Sequence, residues 1–226
     1  MRSPRSDGRE TRQKILEAAS EVFAEVGYTE GTVSRIREAA GVNQAAVSYH
    51  FGGKEDLYRE VWEYTAALAE EFHPLEHPEP GAPAEERLRF FLSSHIKRIL
   101  DEGAAGRFSR ILVFEIHDPQ PFLAEALMEG WKRKNRAFET ILRDFLGEGV
   151  TPEEMEMCRL AVLAPCMGLG MHRMRQRLHP LPHRAPPRFD PDALADHLFR
   201  FARAGLLDLK DKIAGRGAAS TVEGIR

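Results

Sequence analysis

Apolar residues recur along the chain at helical spacing, and no segment alternates with the two-residue period of a strand. Ile15, Ala18, Ala19, Val22, Phe23 and Val26 give a first helix, 10–25, one buried stripe. Gly27 closes it, because glycine takes the left-handed backbone at little cost. Thr32 is placed to cap a helix over 33–40, Gly41 makes a turn, and Asn43 caps a helix over 44–50. Gly52-Gly53 breaks the chain before a helix over 54–71 with Leu57, Val61, Tyr64 or Thr65, and Leu68 on its apolar line. The proline-rich stretch 72–85 excludes a continuous helix and reads as a connection. Helical pattern resumes at Ala84 with Leu88, Phe91, Leu92, His95, Ile96 and Ile99, and is interrupted by Gly103 and Gly106. Further helices are predicted over 108–116 and over 119–146, where Pro119 holds a first-turn position. Another covers 152–178, opened by the capping run Thr151-Pro152-Glu153-Glu154 and bent at Pro165. A second proline-rich connection, 179–191, precedes a last helix over 192–213. The expected fold is all-α.

Composition narrows the class. With 226 residues there is room for one large or two small domains, and 42% hydrophobic with 30% charged residues fits a globular chain. The longest apolar stretch, 160–171, contains a proline and glycines and falls short of the roughly 20 residues a spanning helix needs. No signal-peptide pattern opens the chain, and Cys158 and Cys166 are its only cysteines, so a reducing cytoplasm without membrane contact is expected. These cysteines lie about two turns apart on one helix, too far for a disulfide. Together with His172, His179 and His183 they match no compact metal-ligand spacing, so no metal or other cofactor is expected. Motifs for nucleotide, hydrolase or metalloprotease chemistry are missing, so no catalytic residue is assigned and an enzyme in the second half is a remote alternative.

A net charge of -3 argues against indiscriminate binding to nucleic acid, yet only one face has to be basic. Arg2, Arg5, Arg9, Arg12 and Lys14 gather positive charge near the start, with residues 1–8 as a mobile arm, while Glu17, Glu21 and Glu25 must face away from phosphate. Within Thr32–Lys54, a small apolar base of Ile36, Ala39, Ala40, Val42 and Val47 carries a helix whose Asn43, Gln44, Ser48, Tyr49 and His50 have no core role. Amides, hydroxyls and rings on an exposed short helix suit the edges of bases in the major groove.

The stretches TRQKILEAASEVFAEVGY and TVSRIREAAGVNQAAVSYHFGGKEDLY resemble the first four helices of the TetR family of transcriptional regulators, over about the first 70 residues. The resemblance implies an N-terminal three-helix helix-turn-helix DNA-binding domain (9–71) and a larger helical ligand-binding and dimerisation domain (84–213), followed by a disordered tail (214–226). It further implies a homodimer on a palindromic double-stranded operator, repressing until an unknown small-molecule effector releases it. By position, Gln44, Ala45, Ser48 and Tyr49 fall where the family meets bases or phosphates, and His50 and Lys54 where it meets backbone. Thr32, Ser34, Arg35 and Asn43 flank them. Two departures stand out: Arg37 replaces a usual alanine, and Ser48 a common tyrosine. An activator, or a regulator controlled by a protein partner, would carry the same sequence features.

In the second half, Phe91, His95, Phe108, Ile111, Trp131, Met167, Met171 and His172 combine apolar bulk with isolated polar groups, as a small-molecule pocket does. Glu115 and Arg175 are placed to orient a charged ligand. The helices 152–178 and 192–213 are the expected dimer surface, as a four-helix bundle across a two-fold axis.

Overall fold

The computed structural model describes residues 4–79, 81–180 and 188–223, with side chains from residue 8 to residue 216. Arg2, the side chain of Arg5, His183 and the last residues of the expected tail lie outside the described residues. Among the described residues the chain is helical without strands. The helices are α1 (Pro4–Glu30), α2 (Val33–Ala40), α3 (Gln44–Phe51), α4 (Lys54–Phe72), α5 (Ala84–Leu100), α6 (Arg107–His117), α7 (Ala124–Leu146), α8 (Pro152–Leu178) and α9 (Pro191–Glu223), with a short 3-10 helix at Pro121–Leu123.

The chain divides into two compact units. The first joins Met1–His73 to Asp101–Leu127, and the second joins Pro74–Leu100 to Met128–Arg226. In the first, Ile15, Ala19, Val22 and Phe23 of α1 pack on Ile36, Val47, Leu57, Tyr58, Val61 and Trp62. Ile111 of α6 and Leu123 join that same core. The segment 101–127, which the sequence pattern groups with the second domain, therefore packs with the first. Its amphipathic pattern announces a helix but not the core that will take its apolar face. In the second unit α5 packs along α9, and Phe91, Leu92, Phe138, Leu142, Val162, Leu163, Phe199 and Leu206 build the core.

Element ends depart from expectation in several places. α1 begins at Pro4, a residue suited to a first turn, so residues 4–8 are helical in the structure where the sequence suggests an arm. Gly27, at φ 73°, kinks the chain before Glu30. α7 begins at Ala124, not at Pro119. Pro119 disfavours helix at the residue before it, and Asp118 is non-helical, at φ −133° and ψ 74°, while Gln120 is extended at φ −87° and ψ 119°. The Gln120 N–H then donates to Glu115 Oε2 at 2.9 Å, which fixes the extended entry to the 3-10 turn. The helix of α8 continues through Pro165. α9 extends to Glu223, so residues 214–223 are helical and not a disordered tail. Ile213 is buried there, and Arg216 donates to both carboxylate oxygens of Glu154 at 2.7 and 3.0 Å.

Candidate nucleic-acid interface

Local chemistry fixes the two short helices. Thr32 Oγ1 accepts the Arg35 N–H at 3.3 Å and Asn43 Oδ1 accepts the Ala46 N–H at 2.9 Å, so each helix start has one otherwise orphaned N–H satisfied. Between them the Val42 N–H reaches the Arg37 carbonyl at 3.0 Å and the Gly41 N–H the Glu38 carbonyl at 3.2 Å. That pair of bonds is a Schellman closure, and it needs the left-handed backbone that Gly41 adopts at φ 66°. Ile36 and Val47 are buried, which pins the two helices to the core from one side only. Ala39, expected in that apolar base, is exposed.

The opposite side of α3 faces solvent. Gln44, Ala45, Ser48 and Tyr49 are exposed, and Tyr49 retains 85% of its surface. A tyrosine this open has no packing role here. His50 is half-buried, with its ring 5.1 Å from that of Tyr49. Thr32, Ser34, Arg35 and Asn43 are exposed beside this face. The caps leave the Thr32 hydroxyl proton and the Asn43 NH2 group as their available donors.

Charges around the face are partly committed. Arg35 lies 3.9 Å from Glu25, an ion pair weak enough to exchange for phosphate. Glu25 thus sits beside the interface and does not face away as expected. Arg37 turns back along α2, its Nη2 donating to Ser34 Oγ at 3.3 Å. Its bulk is accommodated without entering the α2–α3 turn. Arg12 pairs with Glu60 and lies 4.8 Å over the Phe51 ring, so it works as an internal clamp and not as part of a basic arm. Lys54 donates to the Thr29 carbonyl at 3.3 Å and sits 4.2 Å over the Tyr28 ring. Burial lowers its pKa, partly offset by Glu30. In this structure Lys54 ties the end of α1 to the start of α4.

In the same unit as α2 and α3 lies a polar group that periodicity alone did not place in the core. Glu115 is 1% exposed, accepts the Tyr58 hydroxyl at 2.6 Å and accepts the Gln120 N–H at 2.9 Å. Burial raises its pKa above the usual 4.5, against the lowering pull of those two hydrogen bonds. Both its carboxylate oxygens are thus engaged inside the first unit. A carboxyl whose folded pKa is raised binds its proton more tightly in the folded state. Stability therefore falls as pH rises from the unfolded value through the folded one. Glu115→Gln is expected to flatten that slope in thermal melts taken from pH 4 upward. An unchanged slope would show that Glu115 is not its source.

The eight pocket candidates are divided between the two units. Ile111 is buried in the core of the first unit, and Phe108 packs edge-on against Trp62 there at 4.9 Å. Phe91 and His95 stack in the second unit at 5.9 Å. Trp131 is half-buried on α7. Met167 and Met171 are exposed on α8, and His172 is exposed with Nε2 2.7 Å from Gln176 Nε2. Their apolar side chains belong to a surface and not to an enclosed cavity. Arg175 is exposed as well. Among the described residues no cluster of His, Cys, Asp and Glu is arranged to hold a metal ion, and no helix is long and apolar enough to cross a membrane.

Comparison with known proteins agrees with this geometry. Residues 15–61 match the family of bacterial regulatory proteins, tetR family. Residues 84–206, more than half of the chain, match the C-terminal domain of the HTH-type transcriptional dual regulator CecR. The HTH-type transcriptional regulator SrpR of Pseudomonas putida is 28% identical over 159 residues, covering 69% of this chain and 70% of its own. The HTH-type transcriptional repressor AcnR of Corynebacterium glutamicum is 50% identical over 48 residues, covering 21% of this chain and 26% of its own. A TetR-like transcriptional regulator from Rhodococcus sp. RHA1 superposes with a TM-score of 0.67 at 20% identity, covering 91% of this chain and 99% of the other. With a capped, one-sidedly anchored helix pair in the first unit and residues 84–206 matching the C-terminal domain of a regulator, the chain belongs to the TetR family of DNA-binding transcriptional regulators.

Proposed function

We propose that this protein is a homodimeric repressor that binds a palindromic operator and leaves it when a small molecule occupies the second unit. The observation that carries the reading is the solvent-facing row Gln44, Ala45, Ser48 and Tyr49 on a helix held from behind by Val47 and Phe51. In a two-fold dimer the two α3 helices enter successive major grooves about 34–36 Å apart. Gln44 offers a bidentate amide to adenine and Ala45 a methyl contact to thymine. Arg35, Thr32, Ser34 and the free N–H groups at helix starts take phosphates. His50 on α3 and Lys54 at the start of α4, whose ammonium would exchange its bond to the Thr29 carbonyl for a phosphate, serve the backbone.

The dimer is formed by α8 and α9. Met157, Leu160, Met167 and Phe201 are exposed on these helices, and a groove of about 320 Å3 runs between them past Cys158, Ala161, Gly205 and Leu209. Exposed apolar side chains along one helix pair are of the kind that an interface between copies covers. Ligand control requires only that the effector prefer a state with lower operator affinity. Acting on chromosomal DNA places the protein in the cytoplasm, without a membrane partner and without an enzymatic step.

Selection of bound sequences from random DNA, followed by titration of the winning site, tests the reading. Gln44→Ala is expected to lose about 1–3 kcal/mol of discrimination at one base pair per half-site. Arg35→Ala is expected to weaken all sequences alike and to reduce the salt slope by about one phosphate per half-site. Identical losses on cognate and scrambled DNA for both variants would sink these roles. A second reading, activation at some promoters, draws on the matched C-terminal domain, which is that of a dual regulator. Transcript levels after deletion of the gene separate the two by sign.

A further inference from the structure

We propose that the outward side of α8 pairs with α8 of a second copy in one antiparallel register, centred level with Pro165 and Cys166, so that the basic end of each helix lies on the acidic start of the other. The proposal rests on the homodimer reading and gives it an orientation, a register and a basis for choosing the partner.

α8 carries two apolar stripes. One, with Met155, Cys158, Val162, Leu163 and Cys166, is buried in the core of the second unit. The other faces away from that core. Met157, Leu160, Ala164, Met167 and Met171 are exposed, Met174 is half-buried and Leu178 is exposed again. These positions follow one another at alternating steps of three and four. That is the seam of a coiled coil, which keeps one face of a helix toward a partner helix. An outer face that met only water would carry polar residues there.

When the partner helix runs the other way, a step of three on one seam must lie level with a step of three on the other. The match that uses the whole seam sets Leu160 against Met171, Ala164 against Met167 and Met157 against Met174. Ala164 is small, so the flexible Met167 side chain opposite has room. A slip of one heptad in one direction puts the acid Glu153 against Met171. A slip in the other direction carries Met157 past the end of α8 at Leu178. The groove toward α9, with Phe201, opens beside Met157 and Ala161, so it continues the same apolar area.

Charge selects the same arrangement. The acids of α8, Glu153, Glu154 and Glu156, all lie in its first turns, and Arg173, Arg175 and Arg177 lie in its last two. No acid occurs between Leu160 and Phe189. In this register Arg175 and Arg177 come level with the acidic start of the partner helix, whereas a parallel pair would set like ends together. Glu154 is already held by Arg216, so Glu153 and Glu156 are the acceptors. Glu156 pairs with Arg159 of its own helix at the surface, a bond weak enough to exchange. An anionic lipid surface would meet these acids at one end of the stripe, so the complement of this helix is the same helix reversed. A foreign subunit whose α8 lacks this polarity is rejected by its charges.

Disulfide trapping in the full-length protein tests the register, with the wild type and its buried Cys158 and Cys166 as the blank. Leu160→Cys and Met171→Cys alter exposed side chains, so the subunit keeps its fold. Either variant alone is expected to give no covalent dimer, because its own two thiols stand about 16 Å apart along the axis. The variant with both changes is expected to link across the pair. Reversal of the basic end (Arg175→Glu with Arg177→Glu) or of the acidic start (Glu153→Lys with Glu156→Lys) is expected to weaken dimerisation at least about tenfold in sedimentation, and an equimolar mixture of the two to form heterodimers. A dimer that links through Leu160→Cys alone, or fails to link through the double variant, overturns the register and leaves the homodimer reading in place. Charge-reversed variants that dimerise at wild-type strength do the same. A wild-type chain that sediments as a monomer overturns both.

Discussion

Phe201→Asp is expected to convert the dimer to monomers and to weaken binding to a full palindrome by roughly 10²–10⁴-fold. Phe201 is 77% exposed in the single chain, so the substitution leaves the fold of the subunit intact. In the dimer the same position would lie under the partner's α8 and α9, where an unpaired carboxylate is costly. The loss on DNA follows from geometry and not from any base contact. Two half-sites bound through one rigid body act at high effective concentration, and separate subunits lose that advantage while keeping their half-site affinity. Analytical ultracentrifugation and titration of full and half operators read both effects. A variant that stays dimeric and binds the full site at wild-type strength would move the interface away from this face.

Glu115→Ala is the second large effect, here on stability. It strips the buried Tyr58 hydroxyl and the Gln120 N–H of their acceptor at one stroke. Each orphaned donor costs about 1–3 kcal/mol, offset by release of a carboxyl that was itself expensive to bury, for a net loss of about 3 kcal/mol. Urea titration should show a lower midpoint at unchanged slope. The Tyr58→Phe background should reduce the cost, because one donor is then already absent. A loss that is the same in both backgrounds would mean that the two residues do not act together. Tyr58 also packs edge-on against Phe23 at 4.7 Å and lies 4.9 Å from Tyr28, so loosening it loosens the platform on which α3 rests.

Much of this architecture is legible in the chain itself. Helical periodicity gave α2, α3 and α5 nearly to the residue, and the caps at Thr32, Asn43 and Thr151 work as their types dictate. The exposed face of α3 was legible because polar residues on a helix with a buried back have to point outward. What could not be read is which core a helix chooses. Ile111 and Phe108 look like pocket residues in one dimension, and only packing assigns them to the first unit. Met167 and Met171 lie in an apolar-rich segment, with His172 just after it, and their exposure is decided by α8 having a free side. Glu115 is an ordinary surface type whose burial depends on neighbours distant in sequence. The helical continuation of α9 past Gly215 rests on Arg216 finding Glu154, a partner far away along the chain.

The membership of α6 in the first unit has a bearing on exchange of parts between regulators. A reading head cut out at residue 72 would leave behind Ile111 and Leu123, both buried against α1 and α4. Such a graft would present a raw apolar scar and lose the acceptor for Tyr58. Transplanting operator preference onto a foreign sensor therefore calls for two separate lengths of chain, or for swapping only the outward side chains of α3. The second route keeps every buried partner in place, so new operator preferences can arise by point substitution more readily than by shuffling of whole segments.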